Sequence, residues 1–218
     1  GRGGMSLSAF LTVIVANLIA AMSPGPDIIL ITRIATKSRR HAVAAVLGIQ
    51  VGVIMWCSLT VLGAAALLRT FPSILGLIQL VGGTWLMWMG WNMLRTGWAA
   101  RTSPAVDLES AEASVGRLRY AFVQGMTTNL SNPKIVLFLA ALIAPLLPAH
   151  PSLGLAVLLI ASLVISSFLL FVVISFVIST NKIRRRMLRA GPWIDVAAGI
   201  FFIVAGATMA VTGFQDVF

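Results

Sequence analysis

Two charged side chains lie where a chain this apolar should carry none. Asp27 closes the run Ser23-Pro24-Gly25-Pro26-Asp27 and Lys134 closes Ser131-Asn132-Pro133-Lys134, each inside a long apolar stretch. The two charges have opposite sign, and the two runs read as a binding site built twice. Proline removes a backbone donor and glycine adds backbone freedom, so each run should interrupt its helix. Irregular backbone at that depth survives only where protein buries it or where it lines a wet cavity. Ser23 before Pro24, and Asn132 before Pro133, read as capping residues followed by proline at the first helical position. Half-helices starting at mid-depth would aim unpaired amides and positive dipole ends inward, where a carboxylate fits. The candidate substrate-binding set is Ser23, Pro24, Gly25, Pro26, Asp27, Asn129, Ser131, Asn132, Pro133 and Lys134, with Gln50 as a further contact.

Lys134 needs a partner, because a cation at the bilayer centre costs about 2.5–3.5 kcal/mol on insertion scales. Asp27 supplies it, or a substrate carboxylate does, or the two alternate. The blander readings are two proline kinks that shape a bundle and an ion pair that locks its halves. Gln124, Thr127, Thr128 and Asn129 lead into the second run and suit an access path, and Asn17 is a further polar group in the first stretch. Gln50 lies within Gly48-Ile49-Gln50-Val51-Gly52, a small-xxx-small pattern that suits close helix packing.

The elements that must position these groups are membrane helices. The chain has 218 residues, 59% hydrophobic and 10% charged, with a mean hydropathy of +0.99. That is more apolar side chain than one soluble core hides, so the bilayer is its expected solvent. Apolar runs at 7–32, 42–68, 72–94, 119–147, 152–180 and 192–213 each approach or exceed the roughly 20 residues of a span. Gly1 to Gly4 read as a cloning remnant. Residues 5–95 then form a first three-helix repeat, 96–118 a cytoplasmic linker and 119–218 a second repeat.

Arg33, Lys37, Arg39 and Arg40 lie in the first connection, Arg95, Arg101, Arg117 and Arg119 in the third, and Lys182, Arg184, Arg185, Arg186 and Arg189 in the fifth. The positive-inside rule puts these three connections in the cytoplasm and both termini outside. The two proline runs answer each other, and Gly83/Gly90 has the same separation as Gly199/Gly206. The expected fold is therefore an all-α polytopic membrane protein. Its six transmembrane helices form two inverted three-helix repeats, with helices 1 and 4 broken and the shared site near the midplane.

Other classes fit poorly. The formal charge of +10 sits between apolar runs, without the aromatic-interleaved basic stretch of a nucleic-acid binder. Cys57 is the single cysteine, and His41 and His150 lie at span edges, so metal, nucleophilic and intramembrane-protease sites lack their parts. No cofactor or metal is called for, and Asp195 lies too near the edge of the sixth span to serve the site. Trp85, Trp88, Trp91 and Trp98 suit interfacial anchoring.

The first proline run, Arg39-Arg40 leading into Gly48, the segment Gly83 to Gly90 with Trp91 and Arg95, and Asn129-Leu130-Ser131-Asn132-Pro133-Lys134 resemble the lysine exporter and homoserine/threonine resistance superfamily (LysE/RhtB). The resemblance spans nearly all of residues 5–213. It implies a bacterial inner-membrane exporter of amino acids or close derivatives, driven by the proton motive force. In that scheme the half-helix ends and Lys134 hold the substrate carboxylate. Asp27 takes the ammonium group, or pairs with Lys134 in the empty site, and is the candidate proton-coupling group. The partners expected are an amino acid, protons and lipid, and the small-residue faces suit a homodimer. The alternative is a channel or accessory subunit whose broken helices serve packing or a pore.

Overall fold

The computed structural model describes residues 4–63, 70–143, 146 and 152–218. The ends of the expected second and fourth spans, with Arg69 and His150, fall outside that set. Within it the chain is all helical, and no strand occurs among the described residues. In chain order the helices are α1 (Leu7–Met22), α2 (Pro26–Ala35), α3 (Arg39–Val61), α4 (Pro72–Ala100), α5 (Leu108–Ala113), α6 (Leu118–Ser131), α7 (Lys134–Ile143), α8 (Leu153–Ile178), α9 (Asn181–Arg186) and α10 (Gly191–Val217). Four of them, α3, α4, α8 and α10, are long and apolar enough to cross a membrane. The pair α1 and α2 qualifies as a fifth span, bent by 61° at its break.

The core lies where α2 and α3 meet the rest. Leu30, Ile31 and Ile34 of α2, Ala45, Val46 and Ile49 of α3, Leu86 of α4 and Phe202 of α10 are fully buried. Outward faces are apolar instead of polar. Leu7, Leu11, Val15 and Ile19 form an exposed stripe along α1, and Val157, Ile165, Leu169 and Val173 do the same along α8. An exposed apolar belt is what lipid, not water, would cover.

Glycines set the closest approaches. Gly76, Gly83 and Gly90 of α4 face Gly213, Gly206 and Gly199 of α10, in antiparallel order. At each, an added Cβ would run into the backbone of the facing helix. The seven-residue spacing read as a mark of repeated halves is thus also the seam along which α4 and α10 pack. Likewise α3 and α6 cross through Gly48 against Phe122 and Met126, and Gly125 against Ala45. The small-xxx-small run of α3 packs inside the molecule.

Two boundaries differ from expectation. α4 continues to Ala100, six residues past the expected end, and the linker folds a short helix, α5, capped by Asp107 Oδ1 accepting from the Ser110 amide at 2.7 Å. Hydrogen bonding from the Ser110 side chain, and then from its amide, holds the exposed Asp107 carboxyl below its usual pKa.

Candidate functional site

α1 ends at the first proline run. The Ser23 amide still bonds to the Ile19 and Ala20 carbonyls, but Pro24 has no amide with which to continue the ladder. Gly25, not Ser23, stands at the N-cap of α2, with Pro26 at the first helical position and Asp27 in the first turn. The second proline carries the helix start two residues beyond the expected cap. Ser23 instead closes α1, its Oγ donating to the Ala20 carbonyl at 2.6 Å. Asn132 behaves as its type predicts. Its Oδ1 accepts from the Lys134 amide at 3.0 Å where α7 begins.

The two interruptions meet and are bonded crosswise. Lys134 Nζ donates to Ser23 Oγ at 3.0 Å, and Asn129 Nδ2 donates to Asp27 Oδ2 at 2.8 Å. No ion pair within 4.0 Å joins Asp27 to Lys134. Each charge therefore leans on a neutral side chain from the other interruption. Asp27 Oδ1 and Asn129 Oδ1 are buried with no hydrogen-bond partner among the described residues. A buried acceptor left unmade costs about 1–3 kcal/mol. Two of them on residues that are bonded to each other make this a place that calls for a donor.

These groups line one cavity of about 70 Å³. A water needs roughly 10–15 Å³ of such space, so there is room for several waters or one compact ligand. Of the expected residues, Ser23, Gly25, Pro26, Asp27, Asn129, Asn132 and Lys134 are in its wall. Among the described residues Asp27 and Lys134 are the only charged groups there, and Val53, Ile135, Phe138 and Phe171 make much of the rest apolar. Pro133 is buried beneath the second interruption. Pro24, Ser131 and Gln50 stand outside the wall. Ser131 packs its carbonyl against Gly82. Gln50 lies one layer back, its Nε2 donating at 3.3 Å to Ser167 Oγ, which does line the cavity, while Gln50 Oε1 is buried without a partner.

α3 braces the site. Trp56 Nε1 donates to the Asn129 carbonyl at 3.1 Å. A Cβ at Gly52 would overlap the Asn129 amide, so only glycine there lets that side chain reach Asp27. Ser167 is the wall residue that sequence reasoning passed over. A serine in a run as apolar as α8 was the available signal.

The LysE type translocator profile matches residues 18–213. The chain belongs to this family. An uncharacterized membrane protein of Haemophilus influenzae is 31% identical over 208 residues, covering 95% of this chain and 98% of its own. The threonine efflux protein of Salmonella typhi is 31% identical, covering 94% and 99%. The leucine efflux protein of Klebsiella pneumoniae is 26% identical, covering 92% and 94%. No solved structure matches. This translocator is accordingly a multi-pass membrane transport protein and not an enzyme.

Proposed function

We propose that the translocator exports small neutral amino acids across the inner membrane by alternating access at the cavity between its two helix interruptions. The observation that carries this reading is that Lys134 and Asp27, whose Oδ1 has no hydrogen-bond partner among the described residues, stand unpaired with each other in the wall of one cavity. An α-ammonium group satisfies Asp27 Oδ1 and Asn129 Oδ1, and an α-carboxylate takes Lys134. The zwitterion uses both charges, so the side chain meets an uncharged wall. A cationic or anionic side chain would be buried unpaired, at a cost that selects against it. The relatives named for threonine and leucine efflux agree with that preference.

The reading takes the chain as six spans in two inverted repeats, both termini outside. Two features support it. Gly83 on Gly206 and Gly90 on Gly199 are exchanged when one half is laid on the other, so the α4–α10 seam is self-complementary, as a two-fold relation requires. Connections one, three and five also bond to one another. Arg40 meets Glu112 at 3.0 Å, His41 Nε2 lies 2.7 Å from the Gly116 carbonyl, and Arg39 Nε donates to Ser179 Oγ at 2.8 Å. All three basic connections therefore share one end, assigned to the cytoplasm by the positive-inside rule. Asp27, the only acid in the cavity wall among the described residues, carries the coupling proton in this scheme.

The test is a panel of labelled amino acids offered to inside-out vesicles under an imposed proton gradient. Uphill uptake of neutral species, threonine and leucine among them, and exclusion of lysine and glutamate is expected. Movement only down the concentration gradient would indicate a channel.

A further inference from the structure

A second cavity, about 270 Å³, lies at the end of the molecule that carries the basic connections. Its walls come from α4, α5, α10 and the end of α2, and α2 alone also lines the central cavity. Its charged lining residues are Arg33, Lys37 and Asp195. Arg33 Nε donates to Asp195 Oδ1 at 2.8 Å, and Lys37 Nζ reaches the same oxygen at 3.0 Å and the Gly191 carbonyl at 3.3 Å. All three side chains are largely withdrawn from solvent, at 14%, 11% and 9% exposure. Directly behind them the buried Arg184 donates to the Lys37 and Leu108 carbonyls.

One carboxylate thus answers two cations in the wall, with a third cation behind it. A buried positive excess is costly unless a counter-charge joins it. Of the two acids of the neighbouring helix, Glu112 is engaged by Arg40 and Ser38, and Glu109 is exposed and outside the cavity lining. Arg33 spends only Nε on Asp195, and its two terminal amino groups have no hydrogen-bond partner among the described residues. Those two groups form the fork that grips carboxylate and phosphate oxygens. Thr36, Thr96, Ser103, Ser110 and Ser114 complete the polar lining. Burial pushes the Lys37 ammonium below its usual pKa, Asp195 pulls it back up and Arg33 pushes it down again.

We propose that this cavity is an oxyanion-binding site, distinct from the central one, in which Arg33 and Lys37 hold a carboxylate or phosphate group. The occupant competes with Asp195 for the two cations. It is a soluble anion or a phospholipid headgroup from the adjoining leaflet, and both present the same oxygens. The site does not depend on what the central cavity transports.

The test is calorimetric titration of the full-length protein, in phosphatidylcholine nanodiscs, with inorganic phosphate and with acetate. One saturable site per chain is expected, weakened at least tenfold in Arg33→Gln and in Lys37→Gln and retained in Lys134→Met. Repeating the titration in phosphatidylglycerol nanodiscs identifies the source. Suppression of phosphate binding there marks the headgroup as occupant, and undiminished binding marks a soluble anion. Absence of saturable binding would overturn the proposal, as would equal binding in both cation variants or its loss in Lys134→Met. Thermal unfolding without anion, run on each variant, separates a lost site from a lost fold.

Discussion

Asn129 does for Asp27 what a second cation would do badly. Its amide donates one bond to Oδ2 at 2.8 Å and adds no charge, so the carboxylate keeps its full attraction and a vacant Oδ1 for a ligand. The same economy appears at Lys134, whose partner is the Ser23 hydroxyl instead of an acid. A directly paired Asp27 and Lys134 would satisfy each other and leave little to recognise. Hydrogen bonds to charged groups are worth about 1.5–3 kcal/mol, so Asn129→Leu should weaken substrate binding by about tenfold to a hundredfold. Equilibrium binding of a labelled transported amino acid to the purified variant measures this, and wild-type affinity would remove Asn129 from the site. Both charges were legible in the sequence because an acid and an amine in apolar runs are conspicuous. Their actual partners were not, since asparagine and serine in a span signal nothing about where they point. Asp195 lines no part of the central cavity, in keeping with its place near a helix start, but its partners were equally illegible, since the fold brings Arg33 and Lys37 to it from more than 150 positions away.

The helices owe their arrangement to where side chains are missing. Between apolar helices in lipid there is little hydrophobic drive to associate, so close packing must come from small residues. The α4–α10 seam follows that rule at Gly76, Gly83 and Gly90 against Gly213, Gly206 and Gly199. Gly90→Leu should therefore destabilise the fold by at least about 1–3 kcal/mol, the usual cost of overpacking. Gly154→Ala in α8, where no described residue lies within 4 Å, should be neutral or slightly stabilising. Thermal unfolding in detergent distinguishes them, and equal midpoints would contradict the seam. The glycine period was visible in the sequence, but a seven-residue spacing does not say which helix it faces. The two interruptions were legible because proline chemistry is local. The exact cap of α2 was not, because two prolines in one run compete to begin the helix and the second one wins.

As a whole the molecule has one end tied by many polar bonds and a middle held by apolar contact. Arg39, Arg40, His41 and Arg184 join three connections far apart in the chain. The basic tally foretold that those connections share a side, because insertion places Lys and Arg there whatever they later bond to. Which of them would meet was beyond it, since that depends on how α2, α5 and α9 fold against one another. The proposed topology predicts that a membrane-impermeant thiol reagent labels Glu109→Cys in inside-out vesicles and Phe218→Cys in right-side-out ones, both in a Cys57→Ser background. Labelling of both from one side would break the six-span arrangement. The account rests above all on an amine and an acid from two mirrored helix interruptions gripping one amino acid. Efflux of labelled threonine from loaded proteoliposomes, wild type against Lys134→Met, tests this most directly. A loss of at least about thirtyfold is expected, the usual consequence of removing one partner from a hydrogen-bonded charge pair, here the one Lys134 would form with the bound substrate carboxylate, in a variant that keeps its unfolding midpoint. Efflux at the wild-type rate would contradict it.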